Sequence, residues 1–379
     1  MTRALAVTTL LLALAGVAAQ AADAPSPCRD RLTALVARLS DPALGGRATA
    51  SERERSAALL AAEMRGAGLL VAPGRRDFAL DVKARVGVPA GRHLLGWRPG
   101  REEGRWVLVV ARYDGRARAG DLVVPGADGN ASGVAAMIEA ARALSVGPAP
   151  RHGVLFAALD LSEHGREGSR YLAEQPPLDL ARCAAVVDVE HLGRSFGDAM
   201  PGALFVFGAS AGGVRRTAAA LAPVPGAVVR ALGIDLCPLA ETDALAFEAK
   251  GLPTAVVTAG PSRDDGTPQD LAEKIDTVAL EARTRVLAEF VRALAEAPAR
   301  AEPFPTEDPG ADLAVLRDVL EDVAARAETL GLNDVAQRRS RLAADLVAGL
   351  AAKESVTPGD RTAARIFALD VLGRLTEPR

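Results

Sequence analysis

The chain has few cysteines, no excess of either charge and, beyond its first residues, no long apolar run. With three cysteines, Cys28, Cys183 and Cys237, at most one internal disulfide can form. The sequence leaves open whether Cys183 and Cys237 meet; Cys183, at the start of an apolar run, is expected as a packed thiol. A net charge of −3, with arginines interspersed among Asp and Glu, offers no basic face for nucleic acid or an anionic membrane surface. No later segment is long enough for a membrane-spanning helix.

What is present begins with a leader. Met1-Thr-Arg3 is basic, Ala4–Val17 is apolar, and Ala19-Gln-Ala21 fits a small-x-small cleavage site. Residues 1–21 are therefore expected to be a signal peptide. Export to the periplasm or the medium follows, a compartment that permits disulfides. No lipobox precedes Cys28. The 379 residues suffice for one large domain and something smaller. The expected division is an α/β domain over 22–295, a linker rich in Pro, Ala, Glu and Asp over 296–312, and a helical segment over 313–379.

Three apolar runs each end in a polar cluster. Val107–Ala111 leads to Arg112-Tyr-Asp114, Gly153–Leu159 to Asp160-Leu-Ser-Glu163, and Cys183–Val187 to Asp188-Val-Glu190. Continuous apolar runs suit strands buried on both faces, as in a parallel sheet, and ligands bind beyond the carboxyl ends of such strands. Further strands are expected over 78–86, 93–97, 204–207 and 253–258. Helices are expected over 28–40, 51–66 (with Ser51 as N-cap), 132–144, 165–175, 212–221, 242–250 and 277–295. The fold class is α/β, a mostly parallel central sheet flanked by helices. A C-terminal all-α segment follows, with helical spacing over 313–330, 334–352 and 357–375. There Leu316, Val319, Leu320 and Val323 form one stripe, and Ile366, Leu369, Val371 and Leu372 another. Without an ionisable cluster to suggest chemistry, these helices are expected to form an appendage for packing or partner contact.

The order of motifs resembles the co-catalytic zinc exopeptidases of metallopeptidase family twenty-eight, which include bacterial leucyl aminopeptidases and have glutaminyl cyclases as relatives. The matching stretches are Leu44-Gly-Gly-Arg47, Ala111–Asp114, Pro125–Gly133, Asp160–Gly165 with Gly168-Ser-Arg170, Val187–Gly193, Thr242-Asp243 with Phe247 and Gly251-Leu-Pro253, and Thr267–Asp270. The resemblance implies two zinc ions sharing a water, with a glutamate as general base. It places the first His ligand on Arg112, its supporting Asp on Asp114, and the bridging Asp on Gly129, between Asp128 and Asn130. The general base falls on Ser162, the adjacent Glu ligand on Glu163, the next Asp ligand on Glu190, and the last His ligand on Gly266. The family's pocket Asp-His pair reads Asp243-Ala244.

Of five ligand positions, only Glu163 and Glu190 still carry donors. Arginine has no lone pair to offer a metal, and glycine has no side chain. Two carboxylates without imidazoles make a poor zinc site. Arg112 is expected to pair with Glu163, Glu190 or both, replacing the missing positive charge. Side-chain alternation along a continued strand would turn His191 away from Glu190. His93 and His152, at strand starts, are expected in surface or packing roles. Ser162 lacks a His to activate it. Asp128 could bridge only if its loop slipped by one residue. The expected function is a non-catalytic, exopeptidase-like (pseudoenzyme) protein binding a peptide or protein in its cleft, with no cofactor. The alternative is an active zinc aminopeptidase with zinc on Glu163 and Glu190.

Overall fold

The computed structural model describes residues 27–116, 122–209, 213–239, 241–297 and 309–375. The expected signal peptide, and residues 298–308 of the expected linker, lie outside these. Nine strands form one sheet: β1 (Leu70–Val71), β2 (Ala79–Val82), β3 (Gly91–Arg98), β4 (Trp106–Arg112), β5 (Gly153–Leu159), β6 (Cys183–Glu190), β7 (Ala203–Gly208), β8 (Val228–Gly233) and β9 (Thr254–Thr258). Their order is β1-β3-β5-β4-β6-β9-β7-β8, with β2 also paired to β3. The central strands β5, β4, β6 and β9 run parallel, as do β7 and β8; β3 and the β7–β9 junction are antiparallel. Every residue of β4 and β5 is buried, which is why both read as unbroken apolar runs.

The chain passes from β4 to β5 on one side and then crosses to β6 on the other. The strand order therefore reverses at β4, and a crevice opens beyond the carboxyl ends of these three strands. Arg112, Ser162-Glu163 and Glu190 are delivered to that crevice.

Ten helices are described, α1 (Arg29–Leu39), α2 (Ala50–Gly66), α3 (Ser132–Val146), α4 (Glu167–Glu174), α5 (Val214–Ala219), α6 (Ala244–Glu248), α7 (Thr277–Glu296), α8 (Pro309–Arg326), α9 (Asp334–Ala351) and α10 (Pro358–Leu375). The α2 cap is Thr49 rather than Ser51: its hydroxyl accepts from Glu52 N, and the Glu52 carboxylate accepts from Thr49 N, a reciprocal capping box. Helices α1, α3 and α7 share a core with Val107, Val109, Val187, Val206 and Val257 on one face of the sheet. On the other face, α4 and α6 meet Leu108, Val110 and Leu155.

The C-terminal helices pack against the sheet. Leu313, Leu316, Val319, Leu320 and Val323 of α8 join Phe205, Phe207, Leu232 and Val256 of the sheet in one apolar cluster. Ile366, expected in the stripe of α10, is 61% exposed; the small residues Ala364 and Ala368 face inward instead. These helices also carry an ionic cluster that the sequence did not reveal. Arg361 contacts Asp235 (2.5 and 2.8 Å) and buried Asp312 (2.7 Å), and Arg215 reaches Asp312 at 2.9 Å. Cys28, Cys183 and Cys237 are all free thiols, and burial pushes Cys183 and Cys237 up to about 12. No described helix is long and apolar enough to cross a membrane.

Candidate functional site

The crevice is a cleft of about 380 Å³ lined mostly by charged side chains, and also by Pro238, Leu239 and Pro261. Its scaffold is held from behind. Arg47 of the Leu-Gly-Gly-Arg stretch is fully buried and donates to the carbonyls of Leu39, Tyr113, Pro125 and Gly126, tying together the loops after β4 and before α3. Burial pushes its guanidinium down to about 10. Asn130 donates to Val189 O at 2.8 Å and accepts from His191 N at 2.9 Å, fixing the end of β6.

Arg112 is 1% exposed and paired as expected. Its Nη1 lies 2.6 Å from Glu163 Oε1 and its Nε 3.5 Å from Glu190 Oε2. Burial alone would lower the Arg112 pKa, but Glu190 and Glu163, then Asp265 and Asp114, hold it above the ordinary arginine value. Glu190 faces two guanidinium groups and an imidazole: Arg112, Arg166 Nη1 at 3.7 Å and His191 Nδ1 at 3.5 Å. Burial would raise its carboxyl, but these neighbours bring it below the usual range.

His191 corrects one expectation. β6 ends at Glu190, and His191 takes a left-handed φ of 52°, so strand alternation no longer governs its direction. Its ring lies between Glu190 and Asp265, with Nε2 3.4 Å from Asp265 Oδ1. Burial would lower its pKa, but Asp265 and then Glu190 raise it.

Of the other expected residues, Ser162 and Glu163 line the cleft, whereas Asp114, Asp128, Gly129, Asp243 and Gly266 do not. Ser162 Oγ donates to Asp243 Oδ2 at 2.8 Å. Asp114 accepts from Glu163 N at 2.9 Å; burial, then Asp160, pushes its carboxyl up to about 7. Asp128 faces Ser132 Oγ and Gly193 N, both at 2.7 Å, so the loop has not slipped to make it a bridge. Asp160 pairs with buried Arg53, away from the cleft. His93 and His152 are buried packing residues, and His164 joins no cluster of potential ligands.

Sequence reasoning missed several cleft residues, among them Arg116, Arg166, His191 as a wall, and Asp265. Arg116 Nε lies 3.5 Å from Glu163 Oε2 and its Nη2 3.1 Å from Asp265 Oδ2. A Cβ added at Gly129 would lie 2.5 Å from Asp265 Oδ1, and one at Gly266 would collide with Arg116 Nη1. The space over both glycines is filled by these neighbours. Gly266 also has a φ of +71°, unfavourable for a side chain.

A zinc pair needs imidazole and carboxylate donors around a shared ligand. At the positions where the resemblance would place them, two carboxylates remain, and a guanidinium stands between them. Those residues do not fit a zinc pair. Among the described residues, one further group has ligand atoms within 4.8 Å of one another: Asp188, Glu190 and Asp243, all buried. It is all oxygen, a set suited to hard cations rather than zinc, and Arg166 Nη1 already lies 3.7 and 3.8 Å from Glu190 and Asp243. Burial, then Glu190, holds Asp188 well above the carboxylate range.

Architecture and charged crevice together define the class: an α/β protein with its site at a topological switch point of the sheet. The profile of Peptidase family M28 matches residues 94–291, just over half of the chain, and the chain belongs to that family. No curated protein matches it in sequence. In fold it is similar to the LapA aminopeptidase of Legionella pneumophila (17% identity, 72% of this chain and 73% of that one, TM-score 0.56). It is also similar to a zinc aminopeptidase of Bacillus subtilis (16% identity, 71% and 95%, TM-score 0.55). A third likeness is to a glutaminyl cyclase of Bacteroides thetaiotaomicron bound to N-acetylhistamine (18% identity, 71% and 99%, TM-score 0.56).

Proposed function

We propose that this protein is an exported member of the M28 family whose cleft binds a peptide or protein segment without hydrolysing it. The observation that carries the proposal is Arg112, seated between Glu163 and Glu190 where a metal-dependent peptidase would need a cation held by its own ligands. A fixed guanidinium supplies positive charge but no exchangeable coordination site, so it can neither bind nor activate a water as a metal does. Ser162, at the position of the general base, donates its hydroxyl to Asp243 instead. Losing a general base alone costs roughly 10²–10⁴-fold in rate. What remains is a concave site of a size suited to small ligands or chain ends, with a mostly charged lining. The peptide assignment rests on the aminopeptidases among its structural relatives.

The test is metal content and turnover of the mature protein, incubated with zinc and assayed on aminoacyl-anilides. Bound zinc well below one ion per chain and no turnover are expected. About two ions per chain, with turnover lost in Glu163→Ala, would establish an active zinc aminopeptidase instead.

A further inference from the structure

We propose that Arg263 is a positioning residue through which the C-terminal helices set the shape of the cleft. This inference holds whether the cleft binds or hydrolyses its ligand. The loop leaving β9, residues 259–270, supplies Pro261 and Asp265 to the cleft wall. Its first half is laid against the segment 191–197: Ala259 N donates to His191 O, Phe196 N to Ala259 O, and Gly197 N to Pro261 O, each at 3.0 Å. Phe196 in turn belongs to the apolar cluster shared with the C-terminal helices, and a Cβ on Gly197 would collide with Leu375 O.

Arg263 then turns outward from the loop. Its Nε donates to Leu375 O, at the last residue of α10, and its Nη2 to Leu330 O, in the turn between α8 and α9, both at 3.1 Å. Helix ends leave carbonyls without intrahelical partners, and a cation there satisfies them and favours the helix dipole. One side chain therefore ties the end of α10 to the turn that follows α8. Two residues on, Asp265 is held against Arg116 and His191. A shift of α8 or α10 must move Arg263, and through it the Asp265 wall.

Hydrogen exchange on the full chain tests the coupling. Arg263→Ala removes two charge-assisted hydrogen bonds and is expected to raise exchange in peptides spanning 259–267 about tenfold, with β4 and β5 unchanged. Arg263→Lys, which can reach only one carbonyl, is expected to fall between. Arg361→Gln loosens the helices from the far side, without touching the loop, and is expected to raise exchange in the same 259–267 peptides. The side-chain Nε–H resonance of Arg112 is expected to shift in both Arg263→Ala and Arg361→Gln, because Asp265 contributes to its field. Unchanged exchange over 259–267 in Arg263→Ala would overturn the proposal. So would an equal rise throughout the sheet, or an Arg361→Gln effect that stops at the helices.

Discussion

Two arginine–carboxylate networks, each around a buried carboxylate, lie in this molecule, and they are built differently. At the joint between the C-terminal helices and the sheet, Arg361, Arg215, Asp312 and Asp235 meet at 2.5–2.9 Å, and Gly233 N adds a donor to Asp312. In the cleft only Arg112–Glu163 is comparably short. Glu190 sees Arg112, His191 and Arg166 at 3.5–3.7 Å, and Glu190 Oε1, Asp188 Oδ1, Asp243 Oδ1 and Arg166 Nη1 have no hydrogen-bond partner among the described residues. A fully satisfied network rigidifies; a partly satisfied buried one carries a desolvation cost that only function or solvent explains. The joint is architecture, and the cleft keeps capacity for a guest.

Breaking each network should therefore have different consequences. Arg361→Ala leaves Asp312 buried beside Arg215 alone and should lower unfolding free energy by about 3–5 kcal/mol in urea titration, the larger effect. A second contrast sets satisfied His93 against His191. Asp160 N donates to His93 Nδ1 (3.1 Å), so Nε2 carries the proton toward Gly168 O (3.0 Å), and burial pushes its pKa down to about 4. Because the unfolded chain takes up this proton first, stability is present above pH 6.5 and is lost as pH falls from 6.5 to 4. His93→Gln should remove about 3 kcal/mol of that slope, measured as the difference between two stability–pH curves. Arg112→Met should cost less, about 2 kcal/mol, since Arg116 and Arg166 remain beside Glu163 and Glu190. A loss from Arg112→Met equal to that from Arg361→Ala would erase the distinction between the two networks.

Much of the scaffold was legible because burial on both faces writes itself as an unbroken apolar run. The expected run at 153–159 coincides with β5, and the expected bounds of α7 and α9 differ from those found by one residue. β8 was not anticipated: it pairs with β7 alone, Val228 is half exposed, and Arg230 interrupts its apolar pattern. Ile366 misled because large apolar residues dominate a helical stripe on paper, whereas close helix packing selects Ala364 and Ala368. The pairing of Arg112 was legible from its place among strand-end carboxylates. Arg166 and Asp265 were not, because both depend on turns: Arg166 has a left-handed φ of 61°, and Asp265 arrives on the long loop after β9. Periodicity carries no information about such turns.

The crowding above Gly129 has a consequence for how this chain can change. Adding an acid at 129 would bring its Cβ to 2.5 Å from Asp265 Oδ1, so Asp265 must shift. Removing Asp265 first strips Arg116 and His191 of their shared anion. Substitutions at 129 and 265 should therefore be non-additive, as expected of positions in contact. Positions 129 and 265 are thus coupled, and a change at one sets what the other can hold.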